Sequence, residues 1–492
     1  MLPLGILFFF IAFVGGTRDG APPCENLASL SLPNATITIA RTVAAGEAPF
    51  AASTAFCRVG ATLKPTAGSD IKIEVWMPAA GWNGKFQAVG NGAFSGAIAT
   101  GAMRTALERG YATASTDTGH TGNTASFAPG HPEKVVDFGW RAAHEMTMAA
   151  KRIVTAHYER APRYSYWNGC SAGGRQAMQE AQRFPGDFDG IIAGAPGLDW
   201  TGRAVQAVRV AKALEASEAA RLSQSARLLL HEAAVRACDA SDGVKDGLIG
   251  DPERCRFDPD VLRCASASAT GCLSPPQVET ARLIYSSARN ARTGREMAGL
   301  LPGSELGWTD LGWTASARAT GLEHFRFIVF GDPAWTVARF DADADIARAD
   351  AVDGGTINAL EPDLKPFFDR GGKLIQYHGW SDPQISPSAS TQYYRRVLTT
   401  LAGKADVPAS HRLFMAPGMG HCGGGEGPNT FDMLAALERW VEQGQAPDQI
   451  PASHSTNGRV DRTRPLCPFP RVAVYKGSGS QDEAANFVCA DR

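Results

Sequence analysis

Apolar and polar positions along the chain fall into short strand-like runs separated by longer helical ones. Residues 71–76 read "IKIEVW", apolar at every second position, the period of a half-buried strand. Residues 85–89 and 111–116 read as two further strands. Residues 135–157 carry apolar side chains at helical spacing. A short strand over 163–168 and a helix over 173–184 follow. Residues 190–195, "GIIAGA", form an unbroken apolar run, as expected of a strand covered on both faces. This alternation predicts an α/β protein with a largely parallel sheet.

The rhythm breaks between about 197 and 355. That stretch has helical patterns, four cysteines, an acidic loop and many Trp and Phe, with few strand signals. It then resumes as a helix over 358–370, a strand over 373–378, a helix over 388–401, a strand over 411–416 and a helix over 430–443. The pattern predicts one core, residues 20–196 and 356–492, interrupted by an inserted lid over 197–355. No internal repeat or low-complexity tract is evident.

The apolar run over 4–14 is too short to span a bilayer. Followed by small residues, it resembles a secretory leader over 1–19. No Lys or Arg precedes it, so a buried N-terminal strand is the competing reading. No later run approaches the roughly 18 apolar residues of a membrane helix, which predicts no membrane association in the mature form. The 492 residues carry a net charge of −2, which offers no basic field for nucleic acid. A small neutral or aromatic substrate fits better.

Candidate chemistry begins at "YWNGCSAGGRQ", which holds a G-x-S-x-G pentad centred on Ser171. A strand precedes it and a helix follows. That context gives the pentad meaning, because the serine then sits on a tight strand-to-helix turn with Gly169 and Gly173 leaving room for the backbone. A serine hydroxyl is a weak nucleophile and needs a base, and the base needs an orienting acid. In this architecture the partners follow in the order Ser, Asp, His on loops after later strands. The strand "KLIQYH" runs into "GWSD", offering Asp382, and "HRLFMA" runs into "PGMGH", offering His421. Asp363 and Asp369 read as solvated helix residues. The remaining histidines lack a strand-end setting and default to structural or surface roles. An oxyanion needs two N–H donors. Ala172, next after the serine, supplies one, and the earlier "GNGAF" turn the other, at Gly92.

Ten cysteines behind a leader-like segment point to disulfides and an oxidising compartment. No C-x-x-C pair occurs, which argues against a zinc ribbon. Cys170 precedes Ser171 and Cys422 follows His421. Neighbouring residues point in different directions, so these two could pair behind the site and hold serine and histidine together. Two buried free thiols are the alternative.

With these residues in place, the chain resembles the tannase/feruloyl esterase family, whose mark is a Cys-Ser, Asp, His-Cys arrangement. The matching residues are Cys170-Ser171, Asp382 and His421-Cys422. The resemblance extends over "GKFQAVGNGAF", "CSAGGRQAMQEAQRFPGDFDGIIAGAP" and "CPFPRVAVYKGSGSQDEAANFVC". It implies an α/β-hydrolase core with an inserted lid. It also implies hydrolysis of aromatic-acid esters: feruloyl and related hydroxycinnamoyl esters first, gallate esters second, terephthalate monoesters third. Disulfides Cys24–Cys57, Cys170–Cys422, Cys238–Cys255, Cys264–Cys272 and Cys467–Cys489 are implied in turn. A structural Ca²⁺ in the lid is implied as well, at "CDASDGVKDGLIGDP", with Asp239, Asp242 and Asp246 supplying carboxylates and Val244 and Leu248 backbone carbonyls. No organic cofactor is implied. Many members of the family it resembles carry a second glycine where Ala93 stands, which leaves open which N–H of the 92–93 turn completes the oxyanion site.

These readings converge on a secreted or periplasmic serine carboxylesterase acting through an acyl-enzyme. A non-catalytic binding protein on a hydrolase fold would be expected to lack a triad member, and all three are present. A peptidase or acyltransferase would use the same triad, because the pocket sets the chemistry. The aromatic-rich stretch over 311–335 favours an aromatic acyl group if it lines the pocket, and says nothing of it if it is lid core.

Overall fold

The computed structural model describes residues 22–266, 269–311 and 320–491. The leader-like segment over 1–19 and residues 312–319 of the aromatic-rich stretch lie outside them.

Nine strands form the main sheet. They are β1 (Ala35–Val43), β2 (Phe56–Leu63), β3 (Ile71–Pro78), β4 (Lys85–Val89), β5 (Ala112–Thr116), β6 (Tyr164–Cys170), β7 (Gly190–Gly194), β10 (Lys373–Gly379) and β11 (His411–Ala416). Two-residue strands β8 (Ala288–Arg289) and β9 (Glu296–Met297) pair with each other outside it. The order across the sheet is β1-β2-β3-β5-β4-β6-β7-β10-β11. The pairings β1–β2, β2–β3 and β3–β5 are antiparallel, and every pairing from β5 to β11 is parallel.

Successive residues of the central strands feed two separate cores. Ile191, Leu374 and Leu413 pack with Ala150 and Ala177 on one face, while Ile192, Ile375 and Phe414 pack with Leu437 on the other. Strands covered on both faces read as continuous apolar runs, and β7 is buried at all five positions.

Three helical expectations need correction. The helix predicted over 135–157 is Pro132–Val136, then a π-helical turn at Asp137–Arg141, then Ala142–Tyr158. Arg175, fully buried, donates to the carbonyls of Phe138 and Gly139 at 3.0 and 2.6 Å, satisfying acceptors in that wider turn. The helix predicted over 358–370 shrinks to Lys365–Asp369. Pro362 lacks an amide proton and disfavours the helical conformation of the residue before it, while Pro366 is tolerated in the helix's first turn. The helix predicted over 430–443 starts at Met433, where Asp432 caps the Ala435 N–H. The pattern reading also passed over β1, β2 and the C-terminal hairpins β12 (Ile450–Thr456) with β13 (Arg459–Leu466) and β14 (Val472–Tyr475) with β15 (Phe487–Ala490).

Between β7 and β10 the chain is mainly helical, with Trp200–Ala216, Gln224–Cys238, Pro275–Tyr285 and Ala342–Asp353. This segment holds two apolar clusters of its own, around Phe325 and Trp335 and around Leu230 and Trp308. Five disulfides pair Cys24–Cys57, Cys170–Cys422, Cys238–Cys255, Cys264–Cys272 and Cys467–Cys489, leaving no free cysteine. No helix among the described residues is long and apolar enough to cross a membrane.

Candidate active site

Ser171 stands between β6 and the helix Ala172–Arg183 with φ 65° and ψ −123°. Such a conformation is strained for a residue with a side chain and persists only where the surroundings enforce it. Here the Ser171 N–H donates to the Gly194 carbonyl at 2.9 Å, and the Ser171 carbonyl accepts from Arg175 and Gly197. The crossing of strand and helix is tight. A Cβ on Gly169 would lie 2.5 Å from the Gly173 carbonyl oxygen, and one on Gly90 would run into Gly173 Cα.

Strands β10 and β11 end level, with Gly379 opposite Ala416, so the loops leaving them emerge together at the C-terminal edge of the sheet. Backbone bonds join the two loops: Trp380 N–H to the Ala416 carbonyl at 2.9 Å and Ser381 N–H to the Met419 carbonyl at 3.0 Å. They bring Asp382 and His421 together. His421 Nδ1 lies 2.7 Å from Asp382 Oδ2, and His421 Nε2 lies 2.9 Å from Ser171 Oγ. Asp382 is fully buried. Burial opposes its charge, but the neighbouring His421 and hydrogen bonds from His378 and His421 outweigh that and hold the carboxyl well below the usual carboxylate range. Its Oδ1 accepts from the N–H groups of Gln384 and Ile385 at 2.7 and 3.0 Å.

Cys170 and Cys422 are bonded, with Cα atoms 6.0 Å apart and a sequence separation of 252. Their bridge therefore joins the serine's turn directly to the histidine's loop.

Ala172 opens the helix after Ser171. The turn holding Gly92 is fixed beside it by Asn91, whose N–H donates to Gln176 Oε1 at 3.0 Å and whose Oδ1 accepts from Gln176 Nε2 at 3.1 Å. Ala93 takes φ 45°, a left-handed conformation that favours glycine. Ala172 also belongs to an aromatic cluster with Phe94, Phe138 and Trp200, against which Phe127 and Phe327 pack. The aromatic-rich stretch thus divides. Phe325, Phe330 and Trp335 stack in the inserted segment's own core, whereas Phe327 and Ile328 reach the cluster beside Ala172.

Two features escaped sequence reasoning. His378, given only a structural or surface role above, is fully buried against Asp382, four residues on; the signal was the spacing in "HGWSD". His231 from the helix Gln224–Cys238 bridges Glu305 at 3.0 Å and Glu426 at 2.9 Å, and Glu426 lies on the loop that carries His421. Asp363 and Asp369, by contrast, engage Lys365 at the surface.

The acidic loop lies within the Cys238–Cys255 bridge. Asp239 accepts the N–H groups of Asp246 and Gly247, each at 3.1 Å, and Asp242 that of Val244 at 3.0 Å. Asp246 pairs with Arg464 at 2.6 Å, both side chains buried. Val244 and Leu248 are buried in the same loop. Among the described residues, His144, Glu180 and Asp187 are the one His and carboxylate trio whose ligand atoms all lie within 4.8 Å of one another. Half-buried Lys151 bonds the Asp187 backbone carbonyl beside it.

Known proteins resemble this chain in sequence and fold. The family described as "Tannase and feruloyl esterase" matches residues 57–490. An uncharacterized esterase of Xanthomonas campestris is 39% identical, over 99% of this chain and 95% of its own. A mono(2-hydroxyethyl) terephthalate hydrolase of Piscinibacter sakaiensis is 35% identical, over 93% and 89%. The crystal structure of feruloyl esterase B from Aspergillus oryzae superposes with a TM-score of 0.89 at 30% identity, covering 95% of this chain and 99% of that one. The fold is that of the α/β hydrolases, and this chain belongs to the tannase and feruloyl esterase family of carboxylic ester hydrolases.

Proposed function

We propose that this protein hydrolyses esters of aromatic carboxylic acids, feruloyl and related hydroxycinnamoyl esters first, through an acyl-enzyme on Ser171. One observation carries the reading: the hydrogen-bonded series Ser171, His421, Asp382 ends on a strained strand-to-helix turn beside an aromatic cluster. Ser171 Oγ attacks the ester carbonyl while His421 Nε2 takes its proton. That proton passes to the leaving alcohol as the C–O bond breaks. Water then attacks the acyl-enzyme with His421 again as base, releasing the acid and restoring Ser171. Asp382 keeps the Nδ1–H tautomer of His421 and stabilises the imidazolium. The N–H groups of Ala172 and Gly92 receive the developing oxyanion.

The acidic loop in turn fits a structural Ca²⁺ held by the carboxylates of Asp239, Asp242 and Asp246 and the carbonyls of Val244 and Leu248. Asp246 pairs with Arg464, and the carboxylates of Asp239 and Asp242 accept N–H groups of the same loop. The donors are all hard oxygens. A Cβ on Gly250 would collide with Asp242 Oδ2, so only glycine leaves that carboxylate its place. Such an ion would bind the loop together and take no part in the chemistry. Five disulfides, with the leader-like start, support action outside the reducing cytoplasm, secreted or periplasmic.

The test is Ser171→Ala with steady-state rates on methyl ferulate, methyl gallate and mono(2-hydroxyethyl) terephthalate. Loss of about 10⁴-fold or more in kcat is expected, with methyl ferulate the best substrate of the wild type. Retention of a tenth of the activity would refute the nucleophile. Preference for gallate or terephthalate would keep the mechanism and replace the acyl group.

A further inference from the structure

We infer that His378 is a positioning residue for the ester-hydrolysing site, a hydrogen-bond donor that fixes the carboxylate of Asp382 for His421. The inference rests on the reading of Ser171, His421 and Asp382 as the triad.

The hydrogen-bond role of His378 Nε2 follows from its partners. Its Nε2 faces two acceptors at once, Asp382 Oδ2 at 3.0 Å and the Ile385 carbonyl at 3.1 Å. A lone pair there would confront both, so Nε2 carries the proton. Its Nδ1 lies 2.8 Å from Ser390 Oγ. In the neutral ring, Nδ1 accepts the Ser390 hydroxyl proton, which locks the tautomer. Ser390 is fully buried in the helix Pro387–Thr400, so no water competes for that ring nitrogen.

The consequence lies at Asp382. Oδ1 is held by two backbone donors from the 384–385 turn. Oδ2 receives both His378 Nε2–H and His421 Nδ1–H. The carboxylate thus has four donors, which fix its plane so that Oδ2 points at His421. Without His378, Oδ2 would keep one donor and the carboxyl group could rotate about its last bond. His378 also reaches Asp382 from the rigid strand β10, while His421 comes from a loop. A strand-borne donor transmits the strand's order to the acid.

Few other charges compete. Tyr393 and Tyr394 on the helix Pro387–Thr400 donate to the carbonyls of Glu361 and His411, Arg395 pairs with Glu253, and Arg396 lies over the Tyr393 ring. Strand β7 on the other side of β10 has no titratable residue. On β11, His411 bonds Gln376, and in the inserted segment Glu305 pairs with His231.

The test compares His378→Leu and His378→Gln with the wild type, with Ser171→Ala as the inactive reference. Glutamine can bring an amide N–H close to the place of Nε2, whereas leucine fills space and donates nothing. In folded His378→Leu, kcat on a p-nitrophenyl ester should fall about ten- to a hundredfold. Its KM should stay within about twofold. The acid limb of kcat/KM should move to higher pH, because a carboxylate with fewer donors holds the His421 imidazolium more tightly. His378→Gln should recover most of the rate and return the limb. If the leucine variant does not fold, His378→Asn, one methylene too short to reach Oδ2, takes its place against glutamine. Wild-type kcat with an unmoved acid limb in folded His378→Leu or His378→Asn would overturn the inference. Equal impairment of the glutamine and leucine variants, which would mark a packing role, would do the same. An active Ser171→Ala would overturn the triad reading and this inference with it, while an inactive one beside an unaffected His378→Leu would remove the inference alone.

Discussion

His231 shows how single side chains tie the inserted segment to the chemistry. Burial opposes a charge on its imidazole, but hydrogen bonds to Glu305 and Glu426 outweigh burial and push the pKa up to about 9. Glu426 shifts the opposite way, first because of its hydrogen bond with His231. A histidine whose folded-state pKa lies above its unfolded value stabilises fully below the unfolded value, near 6.5, and loses that contribution as pH rises through the folded one. Thermal stability should therefore fall between about pH 6.5 and 9 by more in the wild type than in His231→Gln, which keeps neutral hydrogen bonds only. Because part of the pair faces solvent, the difference should be on the order of 1 kcal/mol. Parallel melting profiles for the two proteins across that range would rule the clasp out.

At the scale of elements, the site is an intersection of three loops from one sheet edge, and the Cys170–Cys422 bridge joins two of them. In the chain-entropy picture a closed loop of about 100 residues gives roughly 4.7 kcal/mol, though many bridges give less. A loss of stability on removing it is therefore expected from entropy alone. Position adds a second effect. Each sulfur is one residue from a group that must stay within hydrogen-bond reach of the other, and small displacements there cost rate steeply. The Cys170→Ala/Cys422→Ala protein, assayed well below its melting point and with native circular dichroism, should show kcat reduced at least about tenfold. A lowered melting temperature with unchanged kcat would reduce the bridge to a structural staple.

Across the whole molecule, the inserted segment depends on devices other than the sheet. It has its own apolar clusters, two disulfides and the acidic loop, whose Asp246 reaches Arg464 on β13. An ion held at that loop would stabilise the folded state by mass action, by about 2.7 kcal/mol at a hundred times its dissociation constant. Exhaustive chelation should thus lower the melting temperature by several degrees, and added Ca²⁺ should restore it, with kcat little changed below the transition. No shift, together with no calcium in elemental analysis, would dispose of the ion.

The chain's own pattern determined the strands and helices around the site, since β4 and β11 lie where the alternation placed them and β7 within one residue. Those elements are local in origin: a buried strand must be apolar, and a serine turn needs its glycines. The order Ser171, Asp382, His421 could be read for the same reason, each residue lying within five positions of the end of a buried strand. The helix over 358–370 misled because helical spacing does not register what proline forbids. Edge strand β1 and the C-terminal hairpins were missed because half-exposed strands give weak patterns. What only the tertiary structure decided lies between elements distant in sequence. The second donor on Asp382, the clasp from His231 to Glu426 and the grip of Gln176 on the Gly92 turn depend on relative placement. A single position in the sequence carries no record of what another segment will bring against it.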